Sequence, residues 1–339
     1  MKKNTKDSIR IKLVGWYGMG GLGDDLIAHC IKQNFEKVAN EEEIQIVWNH
    51  PTATPDLFVV GGGSILGKDY VGFMENKLLA EALEVPMVTY GSGFRQEKAL
   101  GQDEREALNG LLDYCSLVGL RGEFSRKNLG KGEVIGDPIF SFVPSKKFEF
   151  TGLWNLGIVV RQMSQYEEQY VDNKEIQQMF AEMTDYMVEQ CKAKPFFFSF
   201  TENPTDSDYA GYCNTNMLMR NHTTNVITYT GDALRTGNFV SGMDYMLSQR
   251  LHPMLLSWIS GHPSIGFEYQ FGKTSDCMET IHMQDWVMKT SEYDFEKFKK
   301  MFEKLVENKD ELTVTSQNAI RSLREKQMSF TRRCLALVK

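Results

Sequence analysis

Gln249-Arg250-Leu251-His252-Pro253, followed by Gly261-His262-Pro263 and by the run from Tyr269 to Lys273, sets an Arg, a His and a Lys around one strand–helix–strand turn. Proline is tolerated in the first turn of a helix, and a glycine with proline close behind it stops one. Residues 253–260 therefore read as a short apolar helix between strands at 244–247 and 264–269. Arg250 and His252 fall at its N-terminus, where free N–H groups and the helix dipole favour an anion. A cationic, proton-donating pocket of this kind has the physical profile of a site for a small phosphorylated acid.

The same alternation continues outward in both directions, and strand-length apolar runs alternating with helical patterns predict a parallel sheet. In the first half, strands are expected at 9–14, 43–48, 57–60, 87–90, 117–120 and 133–135, with a helix near 25–38 after a Gly-rich turn. In the second half they are expected at 156–160, 195–200 and 225–229, before the two strands around His252. Residues 142–151, with Pro144 and Lys146-Lys147, read as a linker, and 294–308 and 311–337 as closing helices. The expected division is a domain at 1–145, a second at 146–310 and a basic helix at 311–339. Ligands of open α/β sheets bind beyond the carboxyl ends of the strands. Gly15 to Asp25, Gly61 to Ser64, Gly91 to Arg95, Arg161 and Arg250 to His252 each follow an apolar run. The expected site is a cleft between two such domains.

A chain of 339 residues exceeds one ordinary core, so two domains of roughly 150 residues are the prior. Apolar content of 42% with 24% charged residues describes an ordinary soluble protein. The basic start Met1-Lys2-Lys3 has no apolar core behind it, so no signal peptide is expected, and no apolar run approaches the ~20 residues of a membrane span. Six cysteines lie scattered without C-x-x-C spacing, which argues for reduced thiols in a cytoplasmic protein and against a structural metal. A formal charge of −7 argues against a nucleic-acid partner. The C-terminal segment carries Arg321, Arg324, Lys326, Arg332, Arg333 and Lys339 among Leu323, Met328, Phe330 and Leu335. Such a helix can rest on the inner face of an anionic membrane; the stronger reading is a helix packed across the domains with its basic face in water.

Gly18-Met19-Gly20-Gly21-Leu22-Gly23 fits the G-x-G-x-x-G pattern of dinucleotide binding. Asp24 and Asp25, however, open the helix where a pyrophosphate would sit, and the next strand ends in Asn49-His50 without the acid that grips a ribose. A plain strand–helix turn with Asp24 as N-cap also accommodates the residues.

Taken together, these segments resemble the polysaccharide pyruvyl transferase family. In the family's order stand Gly15-Trp16-Tyr17 with Gly23-Asp24-Asp25, Val60-Gly61-Gly62-Gly63-Ser64, Tyr90-Gly91-Ser92-Gly93, Leu120-Arg121 with Ser125 and Leu129, and Gly136-Asp137-Pro138. Val159-Val160-Arg161, Arg250-Leu251-His252, Gly261-His262-Pro263 and Tyr269 with Lys273 complete the series, so that the resemblance covers Gly15 to about Lys273. The family usually has Asn at the position of Gly21, Glu at that of Asp25 and Asp directly after the Arg of the fifth motif, where this chain has Gly122.

The resemblance implies two Rossmann-like domains arranged as in B-type glycosyltransferases. It implies transfer of an enolpyruvyl group from phosphoenolpyruvate to two hydroxyls of a sugar, in a bacterial surface polysaccharide or its polyprenyl-diphosphate-linked precursor. No metal or resident cofactor is required. Phosphate and carboxylate need cations in fork geometry, which nominates Arg161, Arg250 and Lys273 on the second domain. Protonation of the enol methylene needs a proton donor that titrates near neutrality, for which His252 is the candidate. Asp24 or Asp25, offered from the first domain, would accept the hydroxyl proton or orient the sugar, beside Gly62, Gly63 and Ser64. Against these stand a capping His252, an Arg161 in an ordinary ion pair, a solvated Lys273 and a capping Asp24. Two other functions fit the same layout: a nucleotide-sugar glycosyltransferase, and a non-catalytic sugar-binding or polysaccharide-assembly protein.

Overall fold

The structure, a computed structural model, describes residues 8–67, 71–95, 101–145, 148, 150, 154–163, 172–201, 207–268 and 272–339. It divides into two compact units: Met1–Tyr17, Ile27–Ser141 and Arg321–Lys339 form unit 1, and Gly18–Leu26 with Phe142–Ile320 form unit 2.

Unit 1 runs β1 (Ser8–Val14), α1 (Leu22–Glu41), β2 (Gln45–Trp48), β3 (Leu57–Gly61), β4 (Leu66–Gly67), α2 (Val71–Ala82), β5 (Met87–Ser92), β6 (Phe94–Arg95), α3 (Gln102–Tyr114), β7 (Leu117–Leu120), α4 (Glu123–Leu129) and β8 (Glu133–Val134). Six strands make one sheet in the order β2-β1-β3-β5-β7-β8, with every pair parallel. β3 and β5 are buried at every position, because a parallel strand is covered on both faces and so reads as a continuous apolar run. Successive side chains point to opposite faces. Leu57 and Val59 join Ile27, Ile31 and Phe35 of α1 on one face, and Phe58 and Val60 join Leu108, Leu111 and Leu112 of α3 on the other. Each such side chain contributes roughly 1.5–3 kcal/mol by leaving water.

Unit 2 runs β9 (Asn155–Val159), α5 (Asn173–Cys191), β10 (Lys194–Ser199), α6 (Asp208–Leu218), β11 (Val226–Thr228), α7 (Ala233–Val240), β12 (Tyr245–Ser248), α8 (Leu251–Ile259), β13 (Ser264–Glu268), α9 (Lys273–Glu279), β14 (Val287–Lys289), α10 (Phe295–Glu307) and the part of α11 (Lys309–Ala336) up to Ile320. Its six-stranded sheet has the order β11-β10-β9-β12-β13-β14, again wholly parallel. Counted from β9, that is the 3-2-1-4-5-6 order of Rossmann folds, while unit 1 begins with the flavodoxin-like 2-1-3 order. The α/β class with parallel sheets is thus as expected. In unit 2 the strand order reverses between β9 and β12, which pair over Tyr245 to Ser248. Ligand sites of such sheets form at the carboxyl ends of that strand pair.

Several boundaries differ from expectation. α1 begins at Leu22, so Asp24 is the third helical residue and not its N-cap. α8 begins at Leu251 with Arg250 at the N-cap position, which makes Pro253 its third residue. Pro still fits, because the first turn has no intrahelical N–H bond to lose. The expected linker is packed: Phe148 stacks on Phe239 at a centroid distance of 4.2 Å, and Phe150 lies 4.7 Å from Phe196. Lys146, Lys147, Glu149 and Thr151 of that segment lie outside the described residues. The contiguous division expected at 145 and 310 also gives way, since the first turn of α1 groups with unit 2 and the closing helix is divided at Ile320.

In the C-terminal part of α11 the apolar residues Leu323, Phe330 and Leu335 are buried. Arg332 pairs with Glu41, Arg333 with Glu133 and Lys339 with Glu42; exposed pairs like these contribute at most about 1 kcal/mol each. Among the described residues no helix is long and apolar enough to cross a membrane.

Candidate functional site

In unit 2 the candidate residues gather where β9, β10 and β12 end. Arg161 stands two residues after β9 and is 8% exposed. Its backbone N–H donates to Gln249 Oε1 at 2.7 Å, and Gln249 N–H donates to the Val159 carbonyl at 3.1 Å. Gln249 thereby ties the ends of the two strands that flank the reversal. Arg250 follows it, and its Nε donates to both carboxylate oxygens of Asp208 at 2.7 and 2.8 Å. Asp208 is 1% exposed and opens α6, and its Oδ2 also accepts the Phe200 N–H at 2.8 Å. Arg250 is therefore an anchored cation with part of its donor set committed to the protein. A buried carboxylate is maintained only with such a partner.

The Gly-rich segment belongs to the same neighbourhood. Leu22 N–H donates to the Phe200 carbonyl at 3.0 Å, and Gly21 forms an antiparallel bridge with Thr201, so the first turn of α1 is fastened to the end of β10. A Cβ built on Gly23 would overlap the imidazole of His252. Only glycine lets the ring lie against that backbone. Asp24 and Asp25 sit in this turn and group with unit 2, not with the first domain as expected. Asp25 is a fastener: Oδ1 accepts the Gly18 N–H at 2.7 Å, and Oδ2 accepts the hydroxyl of the buried Tyr229. Asp24 is half-buried one residue earlier.

Lys273 is the first residue of α9. The N–H groups of Thr274 and Ser275 donate to Glu268 Oε1 at 2.9 and 3.1 Å, so an internal carboxylate already meets the start of that helix. Tyr269, nominated with Lys273, lies outside the described residues.

Gly62, Gly63 and Ser64 stand in unit 1 after β3. Gly62 and Gly63 have φ of +63° and +68°, left-handed values that favour glycine, and a Cβ on Gly62 would also overlap Ile27. Gly62 N–H donates to the Tyr90 carbonyl at 2.9 Å, and Gly63 accepts the Gly93 N–H at 2.8 Å. The Ser64 hydroxyl is buried and has no hydrogen-bond partner among the described residues. Tyr17, after β1, donates its hydroxyl to the Gly61 carbonyl, so both loops at that strand pair are braced. Among the described residues no group of three or more His, Cys, Asp or Glu could hold a metal ion.

Asp208, Tyr229 and Gln249 escaped the sequence reading. The strand ending at Tyr229 and the Gln before Arg250 were both visible; what was not visible was which distant partner each would meet.

The two α/β units, each with a parallel sheet, give this chain a fold similar to that of several solved structures. HepE from Anabaena in complex with UDP aligns over 98% of both chains at 10% identity, with a TM-score of 0.55. The Staphylococcus aureus MnaA–UDP complex aligns over 92% of this chain and 91% of its own, at 11% identity and a TM-score of 0.54. UDP-GlcNAc 2-epimerase from Neisseria meningitidis, bound to UDP-GlcNAc, aligns over 94% and 98% at 10% identity and a TM-score of 0.50. None of the curated proteins matches significantly. The sequence model of the polysaccharide pyruvyl transferase family matches residues 22–270, and the chain belongs to that family of transferases.

Proposed function

We propose that the protein moves an enolpyruvyl group from phosphoenolpyruvate to two hydroxyls of a sugar, forming a pyruvate ketal and releasing phosphate. The acceptor would be a sugar of a surface polysaccharide or of its polyprenyl-diphosphate-linked precursor. The observation that carries this reading is the seating of the His252 imidazole against Gly23, in the turn that bears Asp24. It brings a candidate proton donor to the backbone of the residue before Asp24, and Arg161 and Arg250 follow the ends of β9 and β12.

In this mechanism Arg161, Arg250 and the first N–H groups of α8 receive the phosphate and carboxylate of the donor. His252 delivers a proton to the methylene carbon, which leaves an oxocarbenium-like centre at the enol carbon. A sugar hydroxyl adds there as its proton passes to Asp24. Phosphate then departs, and the second hydroxyl closes the ketal with loss of its own proton. Asp25, committed to Gly18 and Tyr229, holds the turn in place. Lys273 supplies charge from α9, and Gly62, Gly63 and Ser64 remain candidates for the acceptor. No metal or resident cofactor is needed, because the donor already carries the activated group.

A nucleotide-sugar transferase is the competing reading, favoured by the likeness to structures solved with UDP. Thermal unfolding with phosphoenolpyruvate, UDP and NAD separates the two. A ligand at 100 times its Kd adds about 2.7 kcal/mol of stability. Stabilisation by phosphoenolpyruvate that Arg161→Ala abolishes is the expected outcome. Stabilisation by UDP alone transfers the case to the competing reading, and a response to none of the three favours a non-catalytic sugar-binding protein.

A further inference from the structure

We infer that Gln249 is a positioning residue of the anion site, and that the site requires its amide to be uncharged. This rests on the proposed anionic donor. The side chain is 1% exposed, and its two ends have unequal fates. Oε1 accepts the Arg161 N–H at 2.7 Å, which fixes the orientation of the amide. Nε2 is buried and has no hydrogen-bond partner among the described residues. A buried unmet donor is costly to keep, and exceptions of this kind call for a reason beyond packing.

The location supplies that reason. Gln249 bridges β9 and β12 at the reversal of strand order, and it sets the backbone of Arg161 while directly preceding Arg250. Without an acceptor at this point the buried Arg161 N–H would itself be unmet. Glutamate would offer the same acceptor at the same reach. It would also place a negative charge in the pocket meant for an anion, where it competes with the ligand for both arginines. Glutamine is the side chain that holds Arg161 without charge, and the unmet Nε2 is what remains.

The free protein and its anion affinity are therefore expected to respond in opposite directions. Gln249→Glu keeps the bridge and should melt at or above the wild-type temperature. Its Kd for phosphoenolpyruvate, measured by calorimetry, should rise at least tenfold, and the loss should be smaller for pyruvate, which carries less charge. Gln249→Met removes the bridge and should lower both the melting temperature and the affinity. Wild-type affinity in Gln249→Glu, or an equal loss for both ligands, overturns the assignment even if Gln249→Met fails to fold. If the wild type binds UDP and not phosphoenolpyruvate, the proposed reaction falls, and the same variants read on UDP still decide the role of Gln249. A wild type that binds neither anion overturns both.

Discussion

Gly23 is where one methyl group would matter most, since its Cβ would occupy the space of the His252 ring. Gly23→Ala should move the imidazole and lower phosphoenolpyruvate-dependent phosphate release by at least tenfold, at a cost in stability of about 1–3 kcal/mol from overpacking. Gly18→Ala is the control: nothing lies within 4 Å of its Cβ, and φ is +70°. It should cost about 1–2 kcal/mol of backbone strain and leave the release rate within about twofold, because His252 is untouched. A Gly23→Ala protein with unchanged release would remove His252 from the chemistry. At this scale the sequence was only half legible. His252 and Arg161 could be picked out because they follow apolar strands. The anchoring of Arg250 by Asp208 could not, because the two lie 42 residues apart, and no local pattern encodes that meeting.

Elements buried on both faces were the most legible, because continuous apolar runs such as Leu57 to Val60 admit few other readings. The start of α1 was hidden: glycines argue against helix, yet the turn is secured from outside by the Phe200 carbonyl. α11 hides a different feature within its periodicity, a polar stripe centred on the fully buried Gln327. Its Nε2 donates to the carbonyls of Ile135 at 3.2 Å and Asp137 at 2.9 Å, and its Oε1 accepts from Ser141 Oγ at 2.6 Å. Tyr90 joins the stripe through Thr331 Oγ1 at 2.8 Å, and burial raises the pKa of its phenol. Gln327→Leu would leave the Ile135 carbonyl without its donor and the Ser141 hydroxyl without its acceptor, and each unmet group costs about 1–3 kcal/mol. Urea unfolding should show a loss of about 3 kcal/mol or more. Any stabilisation by phosphoenolpyruvate should be the same in the variant as in the wild type, because the stripe belongs to unit 1 and the proposed donor residues to unit 2.

For the molecule as a whole, parallel pairing could be read from the alternation of elements, whereas the strand orders could not. Order is fixed by long-range pairing, and sequence spacing does not report it. Nor did spacing show that unit 2 borrows Gly18–Leu26 from the far end of the chain. A fragment of residues 142–339 lacks the strand-end bridge to Thr201 and the donor to the Phe200 carbonyl. It also leaves Tyr229 without its carboxylate partner. We expect that fragment to unfold at lower urea than unit 2 does in the intact chain, and to recover partly when a peptide covering residues 15–30 is added. A fragment with the stability of the intact protein would show the borrowed turn to be dispensable to folding.

That borrowed turn also imposes a delay during synthesis. Asp25 and Tyr229 are separated by 204 residues, and ribosomes add about 5–20 residues per second. The glycine-rich turn therefore emerges roughly 10–40 s before the tyrosine that will hold it. The nascent chain spends that interval with the segment bearing Asp24 unmatched, so this catalytic candidate reaches its final setting only late in translation.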